Sequence, residues 1–190
     1  MKKILISATL LGLSIPVFAA SASCSTTLSN MATVAQQQVA VSKQIEQTID
    51  NYKFIPEQQR TVFKRDAGIM SKNAEKNVNT LKNMAANKQI GEDGCVGMGN
   101  DTIGMMNNTV AINKALITSA QAIQNQREAI IQKSQCGDEA SCNKVLYQHF
   151  GAILEPVLQK NLGEMSARAH KMGLIQPTTP KASTPVDSTR

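Results

Sequence analysis

From Ser25 to Met172 apolar and small residues return every three or four positions, a rhythm that few folds can accommodate. Between Ser25 and Lys53 the series is Leu28, Met31, Ala35, Val39, Ser42, Ile45, Ile49 and Tyr52. Gln36, Gln37, Lys43, Glu46 and Asp50 lie off it, so the pattern draws one stripe along an amphipathic helix. Ser25, Thr26 or Thr27 is placed to cap its start.

Phe54-Ile55-Pro56 interrupts the rhythm. Proline disfavours helical geometry in the residue before it and is accepted at the start of the next helix. A second helix is expected from Glu57 to about Lys88, with Phe63, Ala67, Met70, Ala74, Val78, Leu81 and Ala85 as its stripe. The short link makes the two helices antiparallel neighbours. A third is expected from Asn100 or Asp101 to about Ser134, on Ile103, Met106, Val110, Ile117, Ala120, Ile123 and Ile130. A fourth begins near Glu139 and carries Leu146, Phe150, Ile153, Val157, Leu162, Met165, Ala169 and Met172. Pro156 falls inside it, which predicts a kink or a break.

Between the second and third stripes lies Gln89 to Asp101, QIGEDGCVGMGND, with four of the eleven glycines. Glycine is costly inside a helix and Asp-Gly and Gly-Asn steps suit turns, so this stretch reads as the loop between two helical halves. No segment alternates with β-branched and aromatic residues as a strand does. The fold class is therefore all-α: an antiparallel bundle of about four long helices over residues 23–175, or two helical hairpins meeting at the glycine loop. With aromatic residues at 3% and no Trp, the core must rest on Ile, Leu, Val, Met and Ala, giving a slender bundle with a face left for a partner. Residues 176–190 hold three of the six prolines among Thr and Ser, a composition that predicts a disordered tail.

The first residues fix the expected compartment. Lys2 and Lys3 precede an apolar run from Ile4 to Phe18, and Ala19, Ala20, Ser21, Ala22 and Ser23 follow. This is the layout of a secretory signal peptide over residues 1–22, cleaved after Ala22 or after Ala19. The run is short for a membrane span and contains Pro16, so no transmembrane segment is expected in the mature chain. A Met-Lys-Lys start of this kind points to the bacterial periplasm. Ser21 stands where a lipoprotein signal places a large aliphatic residue, so Cys24 is not expected to carry a lipid.

All four cysteines, Cys24, Cys95, Cys136 and Cys142, lie beyond that cleavage point, and an even number in an exported chain implies two disulfides with three possible connectivities. Cys136 and Cys142 enclose only GDEAS, which favours a local bridge and leaves Cys24 for Cys95.

Loss of Lys2 and Lys3 leaves 18 basic against 14 acidic residues. The excess concentrates in the second helix, where Arg60, Lys64, Arg65, Lys72, Lys76 and Lys82 face only Glu57, Asp66 and Glu75. These residues form a candidate basic interaction face, suited to an acidic partner.

No constellation points to an enzyme. There is no G-x-S-x-G, and His149 and His170 stand 21 residues apart in one expected helix. Cys136, Cys142 and His149 are soft-metal ligand types, but an oxidising compartment joins the sulfurs first. Met98, Met105 and Met106 cluster without the repeated spacing of a copper-binding array. No cofactor or metal is expected, and stacking aromatics for a nucleic acid are missing from the basic helix.

Long Gln/Asn-rich amphipathic helices behind a signal peptide, with a disulfide-bearing loop and a disordered tail, resemble the periplasmic minor-pilin and accessory subunits of type IV secretion and conjugation systems. The resemblance is one of architecture. It implies a non-enzymatic component whose partners are other envelope proteins. A second resemblance is local: Phe54 to Arg60, FIPEQQR, is similar to the L-T-x-x-Q helix starts of Spy-type periplasmic chaperones, with Ile55 in place of the capping Thr. It implies binding of unfolded clients.

Overall fold

A computed structural model describes residues 24–87 and 92–174, with the side chains of 86, 87 and 92–98 excepted. The expected signal peptide and the tail from residue 176 lie outside the described residues, which are all-helical with no strand among them. The elements are α1 (Cys24–Thr48), a 3-10 turn (Ile49–Asn51), α2 (Glu57–Asn87), α3 (Glu92–Asn125), α4 (Arg127–Ser134) and α5 (Glu139–Lys171).

α1 and α2 run antiparallel. Ser25 Oγ donates to the Ala85 carbonyl at one end, Lys43 Nζ meets Glu75 Oε1 at 2.6 Å midway, and Lys64 reaches Asp50 at the other end. α2 presents the expected stripe: Ala67, Ala74 and Val78 are buried, and Phe63, Met70, Leu81 and Ala85 are half-buried, with Ser71 buried beside them. α1 buries more than its one stripe. Besides Leu28, Ala35, Ser42, Ile45 and Ile49, it encloses Thr27, Ala32, Val34 and Val41, because α3 packs on it as well as α2.

α3 runs parallel to α1. Gly99 lies against Thr27, and Asn113 Nδ2 approaches Met70 Sδ at 3.8 Å, close to where Gly68 of α2 meets Glu46 of α1. α5 returns antiparallel along α3, with Asp101 beside Arg168 and Lys171, and Asn108 Nδ2 donating to the Asn161 carbonyl at 3.2 Å. The helices therefore follow the spatial order α2, α1, α3, α5, two hairpins joined along α1 and α3.

The glycine stretch departs from its expected form. α3 is already helical from Glu92, so Gly94, Gly97 and Gly99 ride on the helix, and Asp101 is a buried ion-pair residue rather than a cap. The reason is close approach: a Cβ at Gly99 would lie 2.2 Å from Thr27 Cγ2. Tertiary packing here outweighs the roughly 1 kcal/mol that glycine costs in a helix.

The third expected helix is two. α3 ends at Asn125 and α4 starts at Arg127, with Gln126 between them. α4 has no fully buried residue, although Ile130 and Ile131 pack at the core's edge. α5 is one element through Pro156, which is exposed and shows no break in the helix. Its start is well fixed: Asp138 accepts from the Ser141 backbone N–H at 2.7 Å, and Ser141 Oγ in turn accepts from the Asp138 N–H, a reciprocal cap.

Cys136 and Cys142 form a disulfide across the α4–α5 turn. Cys24 is buried and disulfide-bonded, and Cys95, with which the sequence reading pairs it, has its side chain outside the described residues. The core is centred on Phe54 and Ile55 of the α1–α2 link, 2% and 0% exposed, gathered with Ile45, Ile49, Ile117, Ile123, Leu146 and Phe150.

Candidate functional site

The six basic residues of the expected interaction face share α2 but have different surroundings. Arg60 is folded inward: its side chain is 13% exposed and its Nη1 donates to the Ile55 carbonyl, so it braces the link. Lys64 Nζ pairs with Asp50, whose carboxyl is held below its ordinary value, first by that hydrogen bond. Arg65 forks to Asp66 of its own helix at 2.8–2.9 Å. Lys72, Lys76 and Lys82 are exposed and have no ion-pair partner among the described residues. Exposed pairs of this kind contribute at most about 1 kcal/mol, so the face remains available to a competing anion.

Two apolar residues that the stripe analysis passed over lie on the same outward side. Val62 is 37% and Ile69 53% exposed, whereas Ala67 and Ala74 of the inner stripe are buried. Their seven-residue separation was the signal in the sequence that could have found them.

Two grooves lie elsewhere among the described residues. One, of about 540 Å³, lies between the end of α3, α4 and α5, and Ile123, Ile130, Lys133, His149 and Ile153 line it. The other, of about 330 Å³, runs between α1 and α2 past Gln36, Val39, Glu75, Val78 and Asn79. The first groove also has Ser134 on its wall with His149, and the Ser134 hydroxyl donates to the Ile131 carbonyl at 3.0 Å. His149 and His170 lie on one helix, about 30 Å apart at 1.5 Å per residue.

A charge cluster around a buried carboxylate joins α3 to α5. Asp101, 7% exposed, receives Lys171 Nζ at 2.7 Å and Arg168 Nη1 at 3.2 Å. The hydrogen bond from Lys171, then its charge and that of Arg168, hold the Asp101 carboxyl below its ordinary value. Arg168 also lies where a Cβ on Gly104 would stand, so this glycine admits the ion pair. The sulfurs of Cys136 and Cys142 are bonded to each other, which removes them from any ligand set with His149. Among the described residues no group of three His, Cys, Asp or Glu is placed to hold a metal ion, and no helix is long and apolar enough to cross a membrane.

No family model, no curated protein and no solved structure matches this chain. Its surfaces must therefore carry the functional argument. The best-supported candidate is the outer side of α2, where exposed apolar side chains and lysines without ion-pair partners lie opposite the face packed on α1.

Proposed function

We propose that this chain is a non-enzymatic interaction protein of the bacterial periplasm, an accessory component of an envelope secretion or conjugation machine. In this reading the signal peptide is removed on export, and the four long helices act as one slender, disulfide-stapled bundle that offers α2 to other envelope proteins. The observation that supports it is the outward side of α2. Val62 and Ile69 stand exposed beside Lys72 and Lys76, where an outward face with only a solvated role would be polar.

The test is a crosslinking pull-down from the native envelope, with the mature chain tagged after Arg190 and captured proteins identified by mass spectrometry. A small reproducible set of secretion or pilus subunits is expected. A broad mixture of unfolded envelope proteins would instead favour a chaperone, for which the same exposed face would hold clients. An empty capture would refute the interaction reading.

A further inference from the structure

Val62, Arg65, Ile69, Lys72 and Lys76 follow one another on α2 at steps of three, four, three and four. At about 100° per residue these steps keep all five on one strip, opposite the buried Ala67, Ser71, Ala74 and Val78. Alternating steps of three and four make a seam along which a second helix packs at a shallow angle. β-Branched Val62 and Ile69 occupy equivalent positions seven residues apart, and Arg65 and Lys72 take the other seam position. The strip extends about 21 Å along the axis, enough for two heptads.

We propose that this strip docks a single acidic amphipathic helix of a partner protein, with carboxylates opposite Arg65, Lys72 and Lys76 and aliphatic side chains against Val62 and Ile69. The proposal rests on the interaction role above and names the partner's chemistry. Charge complementarity decides the occupant. Lys72 and Lys76 have no carboxylate partner among the described residues, and Arg65 has only its neighbour Asp66. A second copy of the chain would set this row of cations against an identical row, which like-charge repulsion opposes. An anionic bilayer fits poorly too. Helices that lie in a membrane surface bury a broad apolar face, whereas this strip offers two aliphatic residues and no aromatic one.

The test uses the full mature chain in its native envelope, with a benzophenone-bearing residue in place of Ile69 or of Lys72. Leu162 on α5, 53% exposed, serves as the control position. The crosslinked peptide is sequenced. The expected adduct at both α2 positions is one partner segment of helical pattern with Glu or Asp at three- and four-residue spacing. With the crosslinker at Ile69, Lys72→Glu combined with Lys76→Glu should cut the yield at least tenfold, and reversing the facing carboxylates to lysine should restore it. Both lysines are exposed, so an unchanged melting temperature shows that the double variant folds. Adducts to lipid or to a second copy, or yields indifferent to the charge reversal, would overturn the proposal. An adduct at Leu162 with none on α2 would also overturn it, while leaving the interaction role standing. Silence at every position together with an empty pull-down would end both.

Discussion

Phe54, from the link between α1 and α2, meets Phe150 of α5 edge-on, with ring centroids 6.0 Å apart and planes at 65°. The contact ties one hairpin to the other at the centre of the core, and Tyr52 and Tyr147 extend it on either side at 6.2 Å and 6.0 Å. Phe54→Ala should cost about 3–5 kcal/mol, since the ring is almost fully enclosed. Phe54→Leu keeps most of the volume and loses the ring contact, for a cost of about 1 kcal/mol. Urea denaturation of both variants checks the pair; a Phe54→Leu variant as stable as wild type would mean that the ring geometry contributes nothing, and one as unstable as Phe54→Ala that it contributes everything.

Asp101 makes stability depend on acid. Its folded pKa lies below the ordinary 3.8, so its contribution is complete above that value and is lost as pH falls through the folded pKa. Asp50 and Asp138 are lowered as well and titrate in the same window, so one acid-melting curve does not isolate Asp101. The difference between wild type and Asp101→Asn does. The wild type should melt higher at neutral pH, and the gap should close as pH drops below about 4. A gap that stays constant down to acid pH would refute this assignment.

Two glycines in helices should respond oppositely to alanine. At Gly99 an added Cβ would meet Thr27 Cγ2, so Gly99→Ala should force α1 and α3 apart and destabilise despite alanine's helix preference. At Gly163 a Cβ would meet nothing within 4 Å among the described residues, and Gly163→Ala should gain about 1 kcal/mol. Thermal melts of the two variants should move in opposite directions.

Ser42 is 0% exposed and its Oγ finds no hydrogen-bond partner among the described residues. Ser42→Ala removes a dry hydroxyl, changes the volume little and improves helix propensity, so it should stabilise by about 1 kcal/mol. A lower midpoint in urea would show that the hydroxyl is satisfied in solution.

The helices of the first hairpin were legible because their stripes are simple: the positions expected on both are buried or half-buried. α5 was legible as a helix and in part as a face, since Leu146, Phe150 and Ala169 are buried as expected. Its inward row after Phe150 runs through Leu154, Leu158 and Asn161, whereas Ile153 and Leu162, which hydropathy favoured, are 45% and 53% exposed. Asn161 disguises the row because it is polar yet buried, with Nδ2 donating to the Val157 carbonyl at 2.8 Å. The basic face was legible as charge, but which cations remain available depends on Asp50, Asp66 and the Ile55 carbonyl, whose placement follows from the fold. The glycines misled for a related reason. A residue that suits a turn also suits a tight helix crossing, and local sequence does not separate the two.

α2 is seated chiefly along α1, with Met70 beside Asn113 of α3. A pull on the far end of α2 thus loads the seam with α1 first, whereas a pull at its start acts on α5 through Phe54 and Phe150. In an assembly under tension the outer helix would be the first to peel, and the aromatic cluster at the α1–α2 link would be the last to yield.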